Sequence, residues 1–231
     1  RPSTARPLIR NACIRKRRRS RGEHQFSYVL GARGGSTLQR LPPDYEIRAP
    51  GPEEVAALPS IEVAAAQVVP LVDLPMPMRD ESSSLAEFQE AADDGRLLVA
   101  VHKTSRKPVG FALLLVVDDN GHLHEIDVHP EHARQGLGAL LVEAVVAWAK
   151  TNEFAWLTLT TFRHLRWNAP FYERHGFREF PNASLGPELA ALREEESEAG
   201  LAYEKRLAMR LDVNATRSSR PPGVATQKVA G

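Results

Sequence analysis

Apolar and polar residues alternate along Leu123 to Val128, a period that predicts a β-strand, and Pro130 ends it. From Gly136 onward the period lengthens. Leu137, Leu140, Leu141, Val145 and Trp148 recur at intervals that place them on one face of a helix running towards Lys150. A strand therefore feeds a helix through a glycine-bearing turn. The β-branched and apolar run Trp156 to Thr161 predicts the next strand, so strand, helix and strand should form a right-handed parallel crossover.

The same patterns order the rest of the chain. Tyr45 to Arg48 predicts a short first strand, and Pro52-Glu-Glu-Val a helix start that Pro59 should break. Residues 60 to 83, rich in Met and Pro near Leu74 to Met78, predict a mobile segment. Ser84, with Glu87 three residues later, predicts a capped helix to about Asp94. Leu97 to Val101 and Val109 to Val117 are strand-like runs, and Asn120-Gly121 signals the turn into the central strand. Beyond the crossover, Asn168 to Arg174 predicts a short helix and Phe177 to Phe180 a strand. Residues 187 to 199, with Glu194-Glu195-Glu196 and Glu198, predict a solvated helix face, and Leu201 to Leu211 a final strand. The fold class is α/β: a mixed, mostly antiparallel sheet with one parallel strand pair, flanked by helices.

Composition adds the boundaries. Residues 1 to 40 carry eleven Lys or Arg against one acid, Glu23, so the remainder of the 231-residue chain totals −9. With little apolar periodicity, residues 1–43 predict a disordered basic arm, residues 44–211 one folded domain, and residues 212–231 a disordered tail. An acidic body disfavours nucleic acid, leaving only the arm and its Arg15-Lys-Arg-Arg-Arg19 run for such a partner or for nuclear or organellar targeting. The single cysteine, Cys13, precludes an intrachain disulfide, and the longest apolar run, Phe111 to Val117, is far short of the roughly 20 residues that span a bilayer. The expectation is a cytoplasmic protein without a membrane partner, monomeric or homodimeric.

The glycine-bearing turn has a chemical use. Amides in the first turn of a helix lack internal partners and sit at the positive end of the macrodipole, so a helix entry favours anions. Gly136 and Gly138 remove side chains where a phosphate must approach the backbone, and Arg134 offers a charge-assisted contact. Two familiar phosphate motifs are excluded. Leu141 occupies the third glycine position of a dinucleotide fingerprint, and no Gly-Lys-Ser/Thr follows.

Val128-x-Pro130 followed by Arg134-Gln135-Gly136-Leu137-Gly138 resembles the acetyl-CoA signature of the GNAT N-acetyltransferases. Asn168-Ala-Pro-Phe-Tyr172-Glu-Arg-His-Gly176-Phe177 is similar to the family's second signature, at the expected separation. The resemblance implies a GNAT-like fold whose parallel strands splay around the pantetheine arm of acetyl-CoA. It implies cofactor contacts at Ile126, Val128, Arg134, Gln135, Gly136, Leu137, Gly138, Ala139 and Asn168, and an acid at Tyr172. One departure is Ala133, where the family often has Arg or Gln.

Transfer of an acetyl group from a thioester to an amine needs a deprotonated amine, a stabilised oxyanion and a proton for the departing thiolate. No covalent nucleophile is needed, and no Gly-x-Ser-x-Gly elbow is present. An ordinary tyrosine pKa of about 10 suits Tyr172 to protonate a thiolate of about 8.5. For the base, Glu125 and His124 compete with the alternative that no single residue serves. His122 and His124 share a strand face, whereas Glu125 faces away unless a bulge intervenes. A metal held by His122, His124, His129 and His132 is disfavoured, since two of them flank a proline turn and no cysteine joins them. The expected activity is transfer of acetyl to a small primary amine, without a metal. A protein or peptide amine, or a non-catalytic acyl-CoA-binding module, is the alternative.

Overall fold

The computed structural model describes residues 42–215; the expected basic arm up to residue 41 and the tail from residue 216 lie outside the described residues. Seven strands form one sheet in the order β1-β2-β3-β4-β5-β7-β6. These are β1 (Tyr45–Arg48), β2 (Leu97–His102), β3 (Lys107–Val117), β4 (Asn120–Val128), β5 (Trp156–Phe162), β6 (Arg178–Glu179) and β7 (Arg206–Asp212). All neighbours are antiparallel except β4 and β5, whose parallel pairing covers only Gly121 to Leu123 against Leu157 to Leu159. Beyond Leu123 and Leu159 the ladder stops. The sheet is therefore open along the C-terminal halves of β4 and β5.

Six helices flank it: α1 (Leu58–Ala66), α2 (Met76–Asp80), α3 (Leu85–Asp93), α4 (Leu137–Thr151), α5 (Ala169–Arg174) and α6 (Pro187–Glu198). The expected stripe of α4 is buried, and it packs on Leu98, Ala112, Leu114, Leu123 and Leu157 of one sheet face. Each such aliphatic side chain contributes about 1.5–3 kcal/mol. Trp148 adds a hydrogen bond from its indole Nε1 to the Gly95 carbonyl. On the other face, α1 and α3 cover Val99, Phe111 and Leu113, while α6 covers Leu115, Val117 and Ala208. From Phe111 to Val117 strand alternation sorts β3 between these clusters, odd-numbered core residues to one side and even-numbered to the other, while Val109, the extra residue at a register shift against β2, joins the α4 side.

Ser84 and Glu87 form the expected capping box at the start of α3. Three local expectations fail. Pro59 does not break a helix; it lies in the first turn of α1, where its missing amide costs no hydrogen bond. The β3–β4 turn is made by Asp118 and Asp119, both left-handed, while Asn120 and Gly121 already belong to β4. Two successive positive φ angles give a hairpin turn that matches strand twist, and Asp tolerates them better than most residues. Nor is α6 a simply solvated helix: Arg193 and Glu196 are buried on it.

That turn also holds α6 in place. Glu188 and Leu189 donate their amides to the Asp118 carboxylate at 2.9 and 3.1 Å, and Asp118 donates its own amide back to Glu188 Oε2. A carboxylate seventy residues away thus satisfies amides that α6 cannot satisfy itself. A Cβ on Gly186 would lie 2.2 Å from the Asp118 carboxyl carbon, so a side chain there would displace this carboxylate from the amides it caps.

Candidate active site

Where β4 and β5 part, a crevice of about 960 Å³ runs through the sheet. One end is built by the turn into α4. Gly136 is the N-cap at φ 83°, a left-handed conformation that glycine adopts without strain, and no side chain caps the helix. The first amides of this fifteen-residue helix are therefore available at the crevice. Gly138 is different: a Cβ there would meet only Phe171, at an ordinary 3.8 Å. Among the described residues, nothing requires this glycine. The space beside it suits a ligand that approaches the backbone.

Of the residues expected at the cofactor, Ile126, Val128, Arg134, Gly136, Leu137, Gly138, Ala139 and Asn168 line the crevice. Gln135 does not. Asn168 occupies the N-cap position of α5 but makes no capping hydrogen bond, so its presence there is not explained as a cap. Ile126 and Val128 pack against the α4 side of the core.

Strand β4 decides which polar groups reach the opposite face. Its register with β3 shifts between Leu113 and Leu114, so that Leu114 faces Leu123 and Leu113 faces Glu125, with His124 as the extra residue. This is the bulge on which the orientation of Glu125 depended. A one-residue slip reverses every later side chain. Glu125 and Asp127 therefore pair with Leu113 and Phe111 on the α1–α3 face, while Ile126 and Val128 turn to the α4 face. His122 precedes the bulge and is fully buried, with Nδ1 2.9 Å from Thr158 Oγ1 and Nε2 without a hydrogen-bond partner. Burial, aided by the nearby charges of His124 and Arg206, lowers its pKa from 6.5 to about 3. His122 is neutral at physiological pH and does not line the crevice.

Tyr172, from α5, lines the crevice with 8% of its surface exposed. Burial first, and the charge of Asp127 second, push its phenol above the ordinary range, so it differs from the free tyrosine expected from sequence. The hydroxyl is protonated throughout the physiological range.

The far end contains groups that sequence periodicity did not single out. Glu196 accepts from Arg206 Nε at 3.0 Å and Nη2 at 2.9 Å, and Thr160 Oγ1 bridges the same two side chains. Arg206 also lies over the Phe162 ring, 4.9 Å from its centre. Glu62 lies on the apolar face of α1 with Leu58, Ile61 and Ala65, and accepts from the Ser83 amide at 2.9 Å. An acid on an otherwise apolar helix face was the available signal for Glu62; Glu196 had none, because its partner comes from another element. Among the described residues, no group of three or more His, Cys, Asp or Glu is arranged to hold a metal ion.

The crevice thus joins a sheet opened at its one parallel pair, an uncapped helix N-terminus at one end and a protonated tyrosine within. Residues 66–177 match the model of the Acetyltransferase (GNAT) family, so the chain carries a GNAT acetyltransferase domain over that span. It is thereby an acyltransferase. Solved structures agree on the fold. Rv2747 from Mycobacterium tuberculosis, in complex with CoA and NLQ, is 20% identical over 72% of this chain and 98% of its own, with a TM-score of 0.53. A GNAT-family acetyltransferase from Staphylococcus aureus Mu50 is 13% identical over 73% of this chain and 99% of its own, with a TM-score of 0.52. PaiA N-acetyltransferase from Thermoplasma acidophilum, in complex with coenzyme A, is 13% identical over 73% and 98%, with a TM-score of 0.50. No helix among the described residues is long and apolar enough to cross a membrane.

Proposed function

We propose that this protein transfers acetyl from acetyl-CoA to a small primary amine by direct attack in a ternary complex. The observation that carries the reading is the bulge at His124, because it turns Glu125 into the crevice that also receives Tyr172 and the uncapped start of α4. Donor and acceptor then approach from opposite faces of the sheet.

The α4 amides from Leu137 onward hold the diphosphate, with Arg134 at the same corner and Gly138 leaving room for it. Asn168, Ile126 and Val128 line the path of the pantetheine arm between the strands. Glu125 takes the proton from the acceptor ammonium, directly or through one water, and frees the nitrogen lone pair. That lone pair attacks the thioester carbonyl, the C–N bond forms, and collapse of the tetrahedral centre breaks the C–S bond. Tyr172 gives its proton to the departing sulfur. Its raised pKa makes it a weaker acid than free tyrosine, but the same desolvated site raises the basicity of the thiolate it serves. His124 lines the site beside Glu125 and orders water there.

The test is a panel of amines with acetyl-CoA, reading free thiol. Turnover of at least one small amine, lost in Tyr172→Phe while coenzyme A affinity is retained, is the expected result. Coenzyme A binding without turnover of any amine or peptide overturns the catalytic reading.

A further inference from the structure

Residues 67–80, between the end of α1 and the end of α2, form a strap across the acceptor end of the crevice. Its underside is apolar: Leu74 and Met78 pack with Phe162, Leu165 and Leu201 into a small separate core. The strap is tied internally by Arg79, which is buried and donates to the carbonyls of Val69 and Gln67 and to the Gln67 side chain. The guanidinium thus braces the loop from within.

One side chain fastens the strap to the rest of the fold. Asp73 is 3% exposed, accepts from His164 Nε2 at 3.0 Å and from Lys205 Nζ at 2.9 Å, and Lys205 also donates to the Val72 carbonyl. His164 follows β5 and Lys205 precedes β7, so the clasp joins the strap to both strands beyond the opening. Burial pushes the Asp73 carboxyl up, and the hydrogen bonds from Lys205 and His164 more than reverse this, keeping it ionised. Asp73 itself does not line the crevice. It acts only through what it holds.

We propose that Asp73 sets the size of acceptor the crevice admits, by clasping the strap onto His164 and Lys205 and so roofing the acceptor end. Asp73 is a positioning residue and the selectivity is for small amines over peptides. This rests on reading the far end of the crevice as the acceptor site. The clasp is sensitive to its partners, because removing Lys205 leaves a desolvated charge on the buried Asp73. The apolar underside alone would let the strap slide; two directed hydrogen bonds fix its position.

The experiment uses the full chain and three probes: coenzyme A, a conjugate joining its sulfur through a CH2CO group to butylamine, and the same conjugate to the lysine of a hexapeptide. Binding is measured by calorimetry for the wild type, Asp73→Ala and Lys205→Met, and hydrogen exchange is followed at residues 68–74. The wild type should favour the butylamine conjugate over the peptide conjugate. Both variants should keep coenzyme A affinity, lose protection in the strap, and narrow that preference by about tenfold, a loss of about 1.4 kcal/mol of discrimination. Asp73→Asn, which keeps hydrogen-bonding groups, should restore part of the preference. Should both folded variants bind coenzyme A and retain the wild-type preference, or should the wild type bind the two conjugates equally, the role of Asp73 is overturned. Failure of coenzyme A itself to bind the wild type would instead overturn the cofactor reading.

Discussion

The two ends of the crevice are built by different means. At the α4 end the groups are backbone amides, set by one left-handed glycine and one glycine with space beside it, all within three residues of sequence. At the far end the lining groups are side chains brought together from distant elements, Glu196 of α6 with Arg206 of β7 and Thr160 of β5, and behind the lining Asp73 is joined to His164 and Lys205. In the proposed reading the α4 end takes a phosphate, whose chemistry is constant and for which local chain geometry suffices. An acceptor varies, and tertiary side-chain networks can be exchanged without disturbing the sheet.

Substitutions can break this comparison at either end. The largest effect is expected for Tyr172→Phe, which in the proposed mechanism removes the proton given to the departing thiolate and should lower kcat by about 10²–10⁴-fold with coenzyme A affinity unchanged. Steady-state kinetics with calorimetry checks it, and an equal loss of affinity would mean that the hydroxyl serves binding. Next is Arg206→Met, which leaves Glu196 buried and unpaired, both side chains being about one-tenth exposed in the native pair. It should cost about 3–5 kcal/mol in denaturant unfolding, since truncating one partner strands the other charge.

Gly138→Val tests the cofactor end. The added side chain meets little protein, so the fold should keep its melting temperature, while coenzyme A affinity falls by about ten- to a hundredfold from crowding of 1–3 kcal/mol. A loss of stability instead of affinity would make Gly138 structural. The pH dependence of stability should report His122. Its pKa falls from 6.5 to about 3 on folding, so the folded state binds fewer protons between those values. That contribution is fully present above pH 6.5 and is lost as pH drops towards 3, by about 2 kcal/mol between pH 7 and 5. His122→Gln should flatten that dependence in thermal melts. The smallest effect is expected for Asp118→Ala, which removes the cap from α6 and should cost about 1 kcal/mol by chemical denaturation.

The sequence by itself determined the strand order through β5, the stripe of α4, the capping box at Ser84 and the glycine turn. Each depends on residues a few positions apart, where periodicity and backbone preference act without help from the rest of the fold. It also confined Glu125 to one of two faces and named the condition, a bulge, that chooses between them. Only the tertiary structure met that condition, because a register shift belongs to the pairing of two strands and cannot be read from either alone. The same reason hid Glu196 within an apparent solvated acid run and Asp73 within an apparent loop. A buried charge is stable only beside a partner, and the partners of these two are placed by the folding of the sheet.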